Sequence, residues 1–230
     1  MPLQAFQTFE KKIEKRIKLF EQKLEQNIEK GLRKFEQKNG IRLDDEVRFI
    51  RSWIEKPLAI GAVTPSSRIL ARTMAGFVEP EIPGPVIELG PGTGPVTEAL
   101  VSRGIDPSRL VLVEFNPTFC TLLRERYPTA TIVQGDAYRL RRLLEEKLAH
   151  PAAAVVSGLP LVTKPMRTRL RLLREALDLL RPGAPYVQFT YSVVPPIPRF
   201  SGVDVDASER IWLNLPPARV WTYRTNRSLG

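Results

Sequence analysis

Val86-Ile87-Glu88-Leu89-Gly90-Pro91-Gly92-Thr93-Gly94 sets a short apolar strand against a turn of alternating glycines. Such a turn lets the backbone reverse tightly and lets a ligand approach it closely. The helix signal that follows runs from about Pro95 to Arg103 and is closed by Gly104. Outward from this unit the same alternation repeats. Leu110 to Val113 reads as a second strand leading into Glu114, and Asn116-Pro117 gives an N-cap and first turn for a helix ending before Pro128. Thr131 to Val133 and Ala153 to Val156 are the next strands, ending at Gly135-Asp136-Ala137 and Ser157-Gly158-Leu159-Pro160-Leu161. Met166, Leu170, Leu173, Leu177 and Leu180 fall at helical spacing before Pro182-Gly183, and Tyr186 to Tyr191 and Ala218 to Tyr223 are the last strands. Strands and helices alternating in units of this length predict an α/β fold: a mostly parallel sheet with helices on both faces.

In such a sheet a ligand binds beyond the carboxyl ends of the strands. Polar groups gather there: Glu88 and the glycines, then Glu114, Asp136 and Ser157. A carboxylate at the end of the second strand can accept both ribose hydroxyls, and Glu114 follows Gly94 by 20 residues, the interval that role expects. Gly-x-Gly-x-Gly departs from the dinucleotide pattern because position 95 is proline, which disfavours a pyrophosphate clamp. Glu88, two residues before the first glycine, would repel phosphate and welcome a cation. S-adenosylmethionine has a ribose, a cationic amino group and a sulfonium, and no phosphate. The bland reading of the turn alone is a tight βα connection; four polar strand ends in order argue against it.

Composition narrows the remaining classes. The 230 residues are 43% hydrophobic and 26% charged, which excludes a disordered or collagen-like chain. A single cysteine, Cys120, excludes an internal disulfide, and one histidine, His150, leaves too few soft ligands for a zinc site, so no metal is expected. No run approaches the roughly 18 apolar residues of a spanning helix. Residues 1–20 lack the apolar core of a secretory signal, so an intracellular protein is expected. The net charge of +10 and a pI near 10.0 point to an anionic partner, nucleic acid or an acidic membrane surface.

The first forty residues differ in kind. Leu3, Phe6, Phe9, Ile13, Ile17, Phe20, Leu24, Ile28, Leu32 and Phe35 recur in steps of three or four, predicting one amphipathic helix about 50 Å long. Around Leu24 three successive steps of four break a coiled-coil register. Ten basic and six acidic side chains lie in residues 1–40, a net +4 suited to an anionic surface. The stripe could lie in a membrane interface, meet a partner helix, or pack on its own domain. Asp44 or Asp45 would cap a second helix ending before Pro57, and Gly61-Ala62-Val63-Thr64-Pro65-Ser66-Ser67 either caps the next helix or lines a ligand pocket. The expected organisation is an amphipathic helix over 1–40, a helical cap over 41–84 and a catalytic core over 85–230.

The stretch from Val86 to Gly94 resembles motif I of the class I S-adenosylmethionine-dependent methyltransferases. Within that group the chain resembles the bacterial phospholipid N-methyltransferases, which make phosphatidylcholine from phosphatidylethanolamine. The likeness lies in 61–67, in motif I with Val96-Thr97-Glu98-Ala99-Leu100, in Gly135-Asp136-Ala137, in Val156 to Leu161, and in Asn214-Leu215-Pro216-Pro217-Ala218-Arg219-Val220-Trp221. The resemblance implies a Rossmann-like, mostly parallel seven-stranded sheet with a final antiparallel strand, S-adenosylmethionine as cofactor and S-adenosylhomocysteine as product. It implies that Glu88, Gly90, Gly92 and Gly94 cradle the methionine end, Glu114 holds the ribose and Asp136 the adenine amino group. Thr64, Phe115, Ala137 and Ser157 would complete the pocket. It also implies a phosphatidylethanolamine substrate and a chain peripheral on the cytoplasmic face of the cell membrane, bound to anionic lipid by residues 1–40. The related ribosomal RNA adenine dimethylases carry Asn-Leu-Pro-Tyr where this chain has Gly158-Leu159-Pro160-Leu161, so the aromatic platform for a flipped base is missing and nucleic acid is the weaker reading. Ornithine lipid is an alternative amine-bearing substrate.

The nucleophile in methyl transfer to an amine must be neutral, which for a lysine-like amine costs about 4 to 5 kcal/mol at pH 7. Alignment of the reacting atoms then supplies most of the acceleration. A methylated headgroup is a soft cation that aromatic faces bind. Tyr191 is the first candidate for that wall, with Trp212, Trp221 and Tyr223 behind it; Ser157 is a candidate at the reacting centre and Arg219 a candidate phosphate ligand. Arg167, Arg169, Arg171 and Arg174 would form a further basic patch.

Overall fold

The computed structural model describes residues 65–191, 194–212, 214 and 217–225. The amphipathic stretch 1–40, the second helix from Asp44 or Asp45, and Thr64 lie outside the described residues. Seven strands form one sheet: β1 (Val86–Leu89), β2 (Leu110–Glu114), β3 (Thr131–Gln134), β4 (Ala154–Ser157), β5 (Tyr186–Thr190), β6 (Val203–Ala207) and β7 (Arg219–Thr225). Their order is β3-β2-β1-β4-β5-β7-β6, with β7 antiparallel to both β5 and β6 and all other pairings parallel. Every residue of β1, β2 and β4 is buried, as in a parallel sheet covered on both faces, and the polar ones, Glu88, Glu114 and Ser157, fall at or near the strands' carboxyl ends. The edge strand β6 reads Val-Asp-Val-Asp-Ala, with Val205 buried and its flanking aspartates exposed.

Helices cover both faces. On one, α1 (Pro65–Ala75), α2 (Pro95–Ser102) and α3 (Pro117–Arg126) pack Leu70, Met74, Leu100 and Leu123 against Val86, Leu110, Leu112 and Val156. On the other, α4 (Leu140–Leu144) and α5 (Met166–Leu179) pack Leu140, Leu144, Leu172 and Leu173 against Ile87, Val113, Val155 and Tyr186. Since α1 packs on α2 as well as on β5 and β7, residues 65–84 share the core of the strands that follow. The expected cap on α3 is present: the Asn116 side chain accepts the Thr118 N–H at 2.9 Å ahead of Pro117.

Arg109 fastens the approach to β1 from the amino end of β2. Its guanidinium donates to the carbonyls of Gly84 (3.0 Å), Pro80 (2.7 Å) and Ile82. Arg109→Met leaves three carbonyls without their charged donor and is expected to lower unfolding free energy by about 3 kcal/mol in urea titration. Arg109→Lys recovers only part of this, because an ammonium lacks the fork that spans three acceptors.

The switch in chain direction falls between β1 and β4, which are neighbours. Register places Leu89, Val113 and Ser157 abreast, so Gly90, Glu114 and Gly158 reach the sheet's end together. This is where an open α/β sheet binds its ligand.

Candidate functional site

Gly90, Gly92 and Gly94 have φ of 67°, 57° and 86°, so three left-handed residues stand within five. A Cβ on Gly90 would lie 2.9 Å from Leu159 Cδ2, and one on Gly158 would lie 2.9 Å from the Gly90 carbonyl oxygen. The turns after β1 and β4 are thus packed backbone to backbone. Gly92 faces open space: a Cβ there meets nothing within 4 Å. A ligand laid along the switch point can approach the chain at that residue.

The carboxylates behave differently from one another. Glu114 accepts the Gly92 N–H on Oε2 (3.0 Å) and the Asn116 N–H on Oε1 (2.8 Å), which ties the end of β2 to the glycine turn. Each oxygen keeps a lone pair, enough for a pair of vicinal hydroxyls. Glu88 is 2% exposed and accepts the Thr97 hydroxyl at 2.7 Å. Burial pushes its pKa up to about 8, with the Thr97 hydrogen bonds opposing and the nearby Glu114 charge adding to the rise. Asp136 accepts the Tyr138 N–H at 3.0 Å, capping the short turn Ala137–Arg139, and its side chain remains half open to solvent. Phe115 stands 74% exposed beside Glu114, while Ala137 is buried beneath the same rim.

Other expected residues are not brought to the cleft. Ser157 is fully buried; its hydroxyl meets Tyr186 and accepts the Leu159 N–H at 3.4 Å. Tyr223 lies in the core, donating to the Ile197 carbonyl at 3.0 Å, and Trp221 is 6% exposed, so neither forms a headgroup wall. Arg210 lies over the ring of the exposed Trp212 at 4.8 Å, and a second cation on that indole would meet like charge. Tyr191 directly follows β5 with its ring edge-on to Phe189 at 5.5 Å, and burial pushes its hydroxyl up to about 12. Arg219 pairs with Thr190 in the ladder, so the pleat sends it to the face opposite Tyr191. Its Nε is buried without a partner, and its guanidinium lies 5.8 Å from the centre of the Trp221 ring.

Three residues shape the site without having stood out in the sequence. Gln188 is fully buried: its amide donates to the Leu159 carbonyl (2.9 Å) and the Phe189 carbonyl (2.9 Å) and accepts the Tyr186 hydroxyl (3.1 Å), fixing the turn after β4. A glutamine amid Tyr-Val-Gln-Phe-Thr was the available signal. Thr97 is the partner of Glu88. Arg169, placed by sequence in a surface patch, is 7% exposed and binds the carbonyls of Val162 (2.6 Å), Lys164 (2.6 Å) and Pro196 (3.1 Å). It joins the loops after β4 and β5.

Residues 86–183 match the family described as "Methyltransferase domain". The ornithine lipid N-methyltransferase of Singulisphaera acidiphila is 32% identical over 151 residues, covering 64% of this chain and 79% of that protein. The chain belongs to the class I S-adenosylmethionine-dependent methyltransferases. The ribosomal RNA small subunit methyltransferase A of a Synechococcus species is 32% identical over 96 residues, 40% of this chain and 31% of that protein. Among solved structures, TrmN from Thermus thermophilus superposes with a TM-score of 0.54 at 18% identity, over 76% of this chain and 53% of that one. An O-methyltransferase from Bacillus cereus gives 0.52 at 15% identity, over 79% and 90%. These two share the fold.

The cofactor of this methyltransferase is S-adenosylmethionine, and its rim has the matching chemistry. The open space at Gly92 admits the cofactor beside backbone, the free lone pairs of Glu114 suit a ribose, and the buried Glu88 suits a cation. No phosphate-binding group is needed at the glycine turn.

Proposed function

We propose that this methyltransferase methylates the amine of an amino lipid at a membrane surface, with ornithine lipid the first substrate to test and phosphatidylethanolamine the second. The observation that carries the reading is Leu161. It is 1% exposed, packed in the core, at the position where the resembling RNA adenine dimethylases have an aromatic, so the turn after β4 offers a flipped base no stacking face. The lipid-methylating relative also aligns over most of its own length, whereas the ribosomal RNA relative aligns over about a third.

In this reading Glu114 holds the ribose hydroxyls, Asp136 the adenine amino group with Phe115 and Ala137 against the ring, and Glu88 with Gly90, Gly92 and Gly94 the methionine end. Bound cofactor supplies a methyl group made electrophilic by its sulfonium. Tyr191 presents an aromatic face to the amine and to the larger cation that methylation creates. Residues 1–40 bring the chain to anionic lipid on the cytoplasmic face of the cell membrane.

The test is transfer of labelled methyl to vesicles of anionic lipid containing ornithine lipid, phosphatidylethanolamine or neither. Label in the ornithine lipid fraction is the expected result, and label in phosphatidylethanolamine alone would reverse the order of substrates. Cofactor binding without label in either lipid, with transfer to RNA, would overturn the reading.

A further inference from the structure

Among the described residues four large apolar side chains are exposed: Phe115 (74%), Trp212 (70%), Val162 (46%) and Phe200 (42%). Three of them stand at one end of the sheet. Phe115 follows β2 and Val162 follows β4. Trp212 lies between β6 and β7, whose Ala207 and Trp221 pair at the end where Thr190 closes β5. That is the end at which the cofactor cleft opens. Phe115 belongs to the cleft in the reading above, which leaves Val162 and Trp212 without a use there.

Both are presented in a manner that loops do not require. Val162 projects from a turn whose carbonyls at Val162 and Lys164 are held by the buried Arg169, so an exposed aliphatic side chain is carried on a rigid support. Trp212 has the Arg210 guanidinium over its ring, an indole and a cation in one unit. Lys164 and Arg167 are exposed beside Val162. An apolar and aromatic surface edged by cations, in a chain of net charge +10, matches one environment: the headgroup layer of an anionic bilayer, where indoles settle at the boundary and guanidinium and ammonium groups meet phosphate. A polyanion such as RNA would use the cations and the indole but has no use for an exposed valine.

We propose that this end of the sheet is a membrane-docking face, anchored at two points by Trp212 with Arg210 and by Val162 with Lys164, whose partner is the surface of an anionic phospholipid bilayer. The inference rests on the amino-lipid reading and adds an orientation to it: the mouth of the cofactor cleft faces the lipid, so an amine reaches the reacting centre without leaving the bilayer. It is independent of residues 1–40.

The experiment uses the full chain and vesicles of phosphatidylcholine and phosphatidylglycerol, which contain no primary amine. Tryptophan emission of the wild type is compared with that of Trp212→Phe, with quenching by lipid brominated near the top of the acyl chain and by aqueous iodide. Expected is a vesicle-induced blue shift and bromolipid quenching that Trp212→Phe loses. Trp212→Ala combined with Val162→Ser is expected to weaken vesicle partition at least about tenfold with cofactor binding unchanged. Iodide quenching of Trp212 undiminished by vesicles, with wild-type partition by the double variant, would overturn the proposal; so would protection of Trp212 by RNA in place of vesicles. Methyl transfer to lipid in detergent micelles separates the two readings. Transfer in micelles without insertion of Trp212 removes the docking face alone, and insertion of Trp212 without transfer to any lipid removes the amino-lipid reading alone.

Discussion

Replacing Glu114 with alanine is expected to abolish methyl transfer and to weaken S-adenosylmethionine binding by at least about a hundredfold. The carboxylate performs two tasks with the same two oxygens. Inside the fold they accept the N–H groups of Gly92 and Asn116, which holds the glycine turn against the end of β2. In the proposed function their remaining lone pairs accept the ribose hydroxyls. Charge-assisted hydrogen bonds contribute about 1.5 to 3 kcal/mol each, so losing two toward the ligand alone accounts for two or more orders of magnitude. The two N–H groups left behind are part-buried beside the open space at Gly92, where water can take the place of the carboxylate, so the variant should fold. Calorimetric titration of the cofactor, with thermal unfolding as the control for folding, measures both parts. Glu114→Gln keeps the shape and one good acceptor, and an intermediate affinity is expected. Unchanged transfer by Glu114→Ala would remove this residue from the site, and intact binding to vesicles by the same variant would show that membrane affinity resides elsewhere.

The parts of the fold legible in the sequence were those whose signals are local. Glycine at 90, 92 and 94, Asn116 before Pro117, and fully apolar runs such as Leu110 to Val113 each announce a turn, a cap or a two-sided strand without reference to the rest of the chain. The strand β6 escaped because two of its five side chains are aspartates at an edge, where period-two alternation over five residues carries less apolar weight than a central strand does. The short helix α4 was hidden for the opposite reason: Leu140–Leu144 is one turn long, too brief for helical periodicity to emerge. The site divides along the same line. Glu88 and Glu114 are located by strand position, but the partnership of Glu88 with Thr97 depends on how α2 returns over β1. Ser157 follows Val156 and so reads as a strand-end group, yet the pleat turns it toward Tyr186 and away from the cleft. Arg169 looks like one member of an arginine-rich helix face, and only the folded loops after β4 and β5 reveal that their carbonyls need it.

Glu88 should make the cofactor and the proton competitors. Its folded pKa is raised to about 8 against an ordinary 4.5, and burial is the largest cause. Below pH 4.5 both folded and unfolded chains carry the proton and the group has no effect on stability. Between 4.5 and 8 the unfolded chain loses its proton and the folded one keeps it, so stability falls as pH rises, by an amount approaching roughly 5 kcal/mol once pH exceeds the folded value. Glu88→Gln removes that titration. In chemical denaturation the variant should gain on the wild type steadily from pH 5 to pH 9, becoming the more stable protein at the alkaline end. The same change should impair function. A cationic ligand at this carboxylate favours its ionised form, so binding near pH 6.5 should expel close to one proton per cofactor. Calorimetric titration in two buffers of different ionisation enthalpy counts that proton, and Glu88→Gln should release none while binding the cofactor more weakly. Equal proton release by both proteins would mean that Glu88 does not face the cofactor's charge. A wild type whose stability is flat between pH 5 and pH 8 would mean that the buried carboxyl is already ionised before the cofactor arrives.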